Sequence, residues 1–385
     1  MSDAREDEPT KITLDVGTVY DFFQSLAVLQ SPKQYGVRGA WASGMLARLS
    51  PASRETLQRA KPVVSYPMHY LPTLPEPKNV ETLLWNLSQK DPVERVQALA
   101  CPWELEARGC TPIFEEVAGQ GRWAASDLAR LADALKDKDG KAPPEKKLVA
   151  MLDVWTDAAV FGEAYVAALR NYYDVFFFEE EKRIRPAIEA AGERIATLAE
   201  TLALPDLIEE ISAGVRFETP PDAAELVLAP SYWITPLLLT VILGEKRRLL
   251  VFGARPTRDA IVPGETIPDS LLHALKALAD PTRLRTLRLI AEKPMGAAEL
   301  ARALRLRTPT LLHHIHALRL SGLIRIQVPE TGAKEKARFS LRPQAVREVM
   351  ESLAGFLGRA ESVDDPDGNE ARKIDTNDSS EGGQR

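Results

Sequence analysis

Across residues 271–322 four short helical periods follow one another, divided by turns too tight to hold any other element, and that punctuation narrows the fold more than anything else in the chain. Residues 271–279 read as the first helix. Asp280 then offers an N-cap carboxylate, and Pro281 fits the first helical position of the second, where a backbone N–H would have no partner. Leu284, Leu287 and Ile290 recur at helical spacing and are expected to form the buried stripe of that helix. A turn at 293–296 precedes a third helix, 297–304, with Leu300 and Leu304 facing inward. A second turn at 305–309 opens a fourth helix, which ends where Gly322 can take the left-handed conformation. Two short helices joined by a tight turn make a helix-turn-helix.

The fourth helix, 308–321, carries Leu311, Ile315 and Leu318 on one stripe, which predicts its inner face. The opposite side holds Pro309, Thr310, His313, His316 and Ala317, flanked by Leu312 and His314. Hydroxyls and imidazoles reach base edges in a major groove, and Leu312 can touch a thymine methyl. The positive end of the helix, beside Arg307 and Thr308, favours a phosphate. A single exposed histidine is as readily solvated as bound; grouped on one helix, the three histidines point to a purpose. Beyond Gly322, residues 323–328 and 337–341 read as two strands of a β-hairpin. The wing between them, 329–338, places Lys334, Lys336 and Arg338 where cations lie along a nucleic-acid backbone, adding affinity without much sequence information. For each lysine taken alone, a solvated loop is the plain alternative.

Charge supports this placement. The chain has 385 residues and a net charge of -6, yet residues 266–345 hold 14 Lys and Arg against 6 Asp and Glu, a balance of +8 that leaves -14 for the remainder. Four of the five histidines fall in the same window. A compact basic block inside an acidic protein suggests a local polyanion site and not general stickiness. Residues 359–385 are acidic and rich in Gly, Ser, Asn and Asp, and are expected to be disordered, as are residues 1–10.

Residues 11–255 predict a mostly helical α/β region that senses a signal or mediates dimerisation. Residues 11–16 alternate like a short strand, and 19–29, 40–49, 79–87, 92–100 and 126–135 read as helices. From 145 to 204 almost nothing interrupts a helix except Pro186, which predicts one or two long helices with a kink or end there. Within that stretch Tyr172, Tyr173, Phe176, Phe177 and Phe178 are expected to pack into a core rather than line a pocket. Strands are predicted at 214–218, 225–229 and 248–253. The uncharged run 226–244 is nearly long enough to span a membrane, but Pro230 and Pro236 break it, so a buried strand, turn and helix is expected. Residues 256–269, with three prolines and a glycine, read as an interdomain linker before a C-terminal domain at 270–358.

The segments Leu278-Ala279-Asp280-Pro281-Thr282-Arg283-Leu284-Arg285, Glu299-Leu300-Ala301, Thr310 with His313-His314, Leu318, and Ser321-Gly322-Leu323-Ile324 together resemble the winged-helix domain of ArsR-type bacterial transcription regulators, over about 80 residues. A looser likeness to the extended N-terminal region of long ArsR-like regulators lies in residues 20–26 and 228–231. The resemblance implies a homodimer that binds a palindromic double-stranded operator, usually represses, and changes its DNA affinity when a small-molecule effector binds. Family members commonly have serine where this chain has Leu312 and Arg307, so the operator sequence does not carry over. Metal-sensing members use cysteines in the third helix or histidine and carboxylate ligands in the last; residues 299–304 lack cysteine and 343–357 lack histidine, so no metal is expected.

Other function classes find less support. The first 255 residues show no P-loop, dinucleotide-binding glycine fingerprint, GxSxG or HExxH pattern, so no enzyme and no cofactor are expected. His69 is the only histidine there, and Cys101 and Cys110 are the only cysteines in the chain, which fits a reducing cytoplasmic setting without a secretory leader. The expected fold is multidomain, mainly α with some β: an α/β, mostly helical N-terminal region followed by a C-terminal winged helix-turn-helix. The expected function is sequence-specific DNA binding as a transcription repressor. The alternatives are a winged helix used as a protein-interaction module, with Leu312 and Leu320 on an apolar docking surface, and, with less support, an uncharacterised enzyme in the N-terminal region.

Overall fold

The computed structural model describes residues 10–64, 66–218, 223–329 and 336–358. Expectations for residues 1–9, for the tail from 359 and for Lys334 therefore lie outside the described residues. The chain is mainly α with some β. After β1 (Lys11–Leu14) come α1 (Val19–Gln30), a 3-10 turn at Pro32–Tyr35, α2 (Gly39–Ala47), α3 (Pro51–Ala60), α4 (Val80–Ser88), α5 (Pro92–Ala100), α6 (Trp103–Ala107), α7 (Cys110–Gln120) and α8 (Ala125–Ala134). Then follow α9 (Glu145–Thr156), α10 (Ala158–Tyr172), a π-helical turn at Tyr173–Phe177, α11 (Phe178–Thr201) and α12 (Leu204–Ile211). Strands β2 (Val215–Phe217), β3 (Glu225–Ser231), β4 (Leu238–Gly244) and β5 (Arg247–Gly253) precede the C-terminal elements.

Four strands form a sheet in the order β1-β3-β5-β4, parallel except for β4, which pairs antiparallel with β5. Its central strands are buried on both faces. Val227, Ala229, Leu249 and Val251 face the helical body, while Leu226, Leu228, Leu250 and Phe252 pack against Ile195 of α11 and Leu207, Ile208 and Ile211 of α12. Burial on both sides is why β3 and β5 lack polar alternation, and it accounts for the uncharged run at 226–244. A helix is expected at the end of that run; β4 stands there instead, because its apolar residues complete the sheet beside β5. No helix among the described residues is long and apolar enough to cross a membrane.

Two further expectations are corrected in the helical body. The break in 145–204 falls at Asp157, between α9 and α10, whereas Pro186 sits inside α11 without ending it. Of the aromatic cluster, Tyr172, Tyr173, Phe176 and Phe177 are buried with Phe22 and Trp233, against which the half-buried Trp41 packs, but Phe178 is exposed under Lys182. Elsewhere helices approach closely: α10 passes α5 at Gly162, where an added Cβ would lie 2.0 Å from the carbonyl oxygen of Pro92.

A buried polar knot ties α1 to the segment that follows β3. Asp21 accepts from Ser231 Oγ (2.7 Å) and from the backbone N–H groups of Tyr232 (3.1 Å) and Trp233 (2.8 Å). Trp233 Nε1 donates to Glu180 (2.9 Å), which also receives Arg183. Burial pushes the Asp21 carboxyl up to about 7, although its three donors pull the other way. The folded chain therefore holds this proton more tightly than the unfolded chain, whose ordinary value is 3.8. Stability is expected to fall as pH rises from about 4 to about 7 and to change little above, since the unfolded state releases the proton first. Chemical denaturation at pH 5 and pH 8 checks this, and Asp21→Asn should flatten the difference.

The C-terminal elements are α13 (Asp269–Leu278), α14 (Pro281–Glu292), β6 (Met295–Gly296), α15 (Ala297–Ala303), α16 (Thr308–Leu320), β7 (Ile324–Val328), β8 (Arg338–Leu341) and α17 (Pro343–Gly358). They enclose a core of their own, which includes Leu287, Ile290, Leu300, Leu311, Ile315, Leu318 and Phe339. Leu284, expected in the stripe of α14, is instead exposed, because the helix turns Thr286, Leu287 and Ile290 inward, with Leu289 packed beside them. The sheet here is four-stranded, β2-β7-β8-β6, so β2 leaves the region 11–255 to which its position assigned it and pairs in parallel with β7. Residues 256–268 carry no helix or strand. They are nonetheless packed: Ala260 and Ile261 are buried, and Asp269 accepts from the Ile261 N–H (2.6 Å) and lies 3.6 Å from Arg255.

Candidate nucleic-acid interface

Helix α16 is placed by its two ends. Arg307 precedes it in extended conformation without a side-chain cap, and Pro309 occupies its first turn, so early backbone N–H groups remain open toward solvent. Arg305 stands at φ +57 in the turn before it, an uncommon backbone for a side chain other than glycine or asparagine. At the far end, Gly322 takes φ +69, the left-handed geometry expected of it. Leu311, Ile315 and Leu318 point into the core as predicted.

The candidate residues separate into two groups. Arg307, Thr308, Thr310, Leu312 and His313 are exposed on one continuous surface at the first half of α16. They are joined by the exposed Arg302 at the end of α15 and Arg305 of the turn that follows it, which helical periodicity alone does not single out although their charge could have. Helix dipole, open N–H groups and arginines make this end a favourable place for an anion.

His314 and His316 face inward. His314 is half-buried, with Nδ1 3.8 Å from the Asp280 carboxylate that caps α14. His316 Nε2 donates to the backbone carbonyl of Gln34 (2.9 Å), in the 3-10 turn after α1. His316 is held by that hydrogen bond, and His314 Nδ1 is shielded from solvent without a hydrogen-bond partner, so neither imidazole shares the free surface of His313. Leu320 is buried as well, which removes it from an apolar docking surface.

Arg319, also on α16, is almost fully buried. It donates to the carbonyls of Ser212 (2.6 Å) and Ala213 (3.1 Å) at the end of α12, and burial, then Arg342, lowers its pKa to about 10. Guanidinium on terminal helix carbonyls is a favourable pairing. Together with β2 and the Arg325–Glu209 ion pair (2.5 Å), it fastens the winged helix to the N-terminal region.

On the hairpin, Lys336 is exposed. Arg338 is occupied: it donates to the Pro294 carbonyl (2.6 Å) and lies 3.5 Å from Glu299, bracing the strand against α15. Among the described residues no cluster of histidine, cysteine, aspartate and glutamate is disposed to hold a metal ion. Cys101 and Cys110 are buried, and burial raises both thiols above their ordinary pKa.

A helix-turn-helix with an open, basic recognition face and a hairpin beside it defines a DNA-binding transcription regulator. Residues 280–325 match the family model described as bacterial regulatory protein, arsR family, and this segment of the chain is an ArsR-type helix-turn-helix. A solved crystal structure of an ArsR family transcriptional regulator is 31% identical, with 24% of this chain and 92% of that chain covered, at a TM-score of 0.20. None of the curated proteins matches the chain.

Proposed function

We propose that the protein is a dimeric, cytoplasmic transcription repressor that acts by binding and not by catalysis. Thr308, Thr310, Leu312 and His313 of α16 enter the major groove, Arg302, Arg305 and Arg307 meet the flanking phosphates, and the hairpin with Lys336 follows the backbone. The observation that carries this reading is the surface of the first half of α16, where exposed hydroxyl, imidazole and guanidinium groups surround an open helix N-terminus. Helix α17 favours the flank of the winged helix as the dimer contact, since Met350, Phe356 and Leu357 are exposed apolar side chains there. A two-fold pair of recognition helices places half-sites about 10 base pairs apart, or at a multiple of that spacing.

The test is retention of sheared genomic DNA by the full chain at two salt concentrations, with the retained fragments sequenced. A palindrome competed poorly by random DNA is the expected result; binding without sequence preference or two-fold symmetry contradicts it. On the recovered site, the double substitution Thr310→Ala and His313→Ala is expected to cost about 1–3 kcal/mol for each base that the variant no longer reads, while leaving random-DNA binding nearly unchanged. Replacing Arg307 and Lys336 by glutamine should weaken all DNA alike and reduce the salt slope by about one for each phosphate released. Binding titrations from about 50 to 200 mM salt read both effects.

A further inference from the structure

The region fastened to the recognition helix also contains a cleft that the DNA-binding reading does not use. It lies between the segment after α3, the C-terminal end of α5 and helix α9, with a volume of about 310 Å³, inside the range of small-molecule sites. Its walls are apolar, built from Val63, Leu99, Leu105, Leu135 and Met151. Three polar residues stand among its lining: Tyr66, His69 and Lys147.

Each polar group has a defined chemical character. His69 Nε2 donates to the Ala98 carbonyl (3.0 Å), and burial holds its pKa below the ordinary histidine value, so at neutral pH it brings no charge. Lys147 is exposed at the mouth and is the cation of this cleft. Lys147 and Pro62 also edge a wider depression of about 580 Å³ lined by Arg59, Lys61, Lys146 and Asp153, so the entrance is basic overall. Tyr66 shares a hydrogen bond with the hydroxyl of Tyr35, and burial keeps its phenol protonated. Two hydroxyls bonded to each other use only one of their two protons, which leaves one to donate to a ligand oxygen.

Tyr35 connects this cleft to the DNA-binding elements. It ends the 3-10 turn Pro32–Tyr35, whose Gln34 carbonyl accepts from His316 of α16, while the carbonyl of Gly36, just past the turn, accepts from His273 of α13 (3.3 Å). The fit at Gly36 is tight: φ is +71, and an added Cβ would lie 2.3 Å from the His273 ring. A displacement of Tyr35 therefore reaches α13 and α16 through two backbone hydrogen bonds and a close approach. A ligand shifts such an arrangement only if it binds one position of the turn better than another, and the hydroxyl pair supplies that difference by trading its mutual bond for a ligand oxygen.

We propose that this cleft is an effector site for a small organic monocarboxylate with an apolar body. The carboxylate sits between Lys147 and the Tyr66 hydroxyl, which is bonded to Tyr35, the hydrocarbon fills the space beside Leu99 and Met151, and occupancy is transmitted to the recognition helix through Tyr35, Gln34 and His316. The effector role rests on the regulator reading above; the binding chemistry does not.

The experiment is calorimetric titration of the full chain with straight-chain and aryl monocarboxylates of roughly six to twelve carbons, each paired with its primary amide. At least one acid is expected to bind with Kd below about 1 mM and its amide about tenfold more weakly. Lys147→Gln, an exposed substitution that spares the core, should abolish the preference for the acid. With only five histidines in the chain, ring resonances can be followed individually, and the His316 signal should move on saturation. In Tyr35→Phe the acid should still bind while the His316 signal stays in place. Absence of binding by every acid, equal binding of acid and amide, or an unmoved His316 signal at saturation overturns the proposal. DNA retention is scored separately: its loss counts against the regulator reading and leaves the acid titration interpretable.

Discussion

Asp21→Ala should unfold much of the N-terminal region, or cost it at least about 3 kcal/mol, because three buried donors lose their acceptor at once. Ser231, Tyr232 and Trp233 are almost fully shielded from solvent, so water cannot replace the carboxylate. Each unsatisfied buried donor costs about 1–3 kcal/mol, and the truncation adds a cavity where the carboxyl stood. Asp21→Asn keeps one acceptor oxygen and should lie between the alanine variant and the parent. Urea denaturation followed by tryptophan fluorescence measures the series, with Trp233 reporting from within the knot. A loss below about 1 kcal/mol in the alanine variant would show that the three donors find other partners.

Gly162→Ala should reverse the usual sign of a glycine-to-alanine change. In an exposed helix interior the substitution stabilises by about 0.5–1 kcal/mol. In α10 the new methyl would meet the backbone of α5, 2.0 Å from the Pro92 oxygen and 2.8 Å from its carbon, and a backbone cannot turn aside as a side chain can. Helices α5 and α10 must separate, so a loss of about 3 kcal/mol or more is expected, the upper end of overpacking effects. Gly44 in α2 has no atom within 4 Å of its added Cβ and provides the control. Thermal melts of Gly162→Ala and Gly44→Ala should move in opposite directions; movement in the same direction would contradict the close crossing.

The winged helix is legible in the sequence because its information is local. Asp280 caps α14, accepting from the Arg283 N–H, Gly322 adopts the left-handed turn, and Leu311, Ile315 and Leu318 form the inner stripe, all set by neighbours within a few residues. The strands β3 and β5 are legible for the same reason. What escapes is everything decided at long range. A periodicity cannot tell that Arg319 is buried on the carbonyls of residues 212 and 213, more than 100 positions earlier, or that His316 meets Gln34 near the other end of the chain. Leu284 and Leu320 exchange their expected places because helical spacing fixes a face but not what packs against it. Segment 238–244 reads as a helix and folds as a strand because a short apolar run suits either element until its partner strand is known. Among the described candidate DNA-binding residues, those that keep a free surface are Lys336 of the hairpin, Arg307 and the residues of the first half of α16, where side chains meet solvent and not another part of the chain.

Strand β2 has a consequence for how this protein can be divided. It occupies one flank of β7, contributing three residues in parallel register, and its own position follows α12 and not the DNA-binding segment. A fragment beginning near residue 256 would contain the whole helix-turn-helix and its core, yet it would present β7 with a row of unpaired N–H and carbonyl groups. Such a naked sheet edge is a template for pairing with another chain. The excised domain should self-associate through that edge at concentrations where the intact chain does not, and any oligomeric state measured on it would describe the cut rather than the regulator.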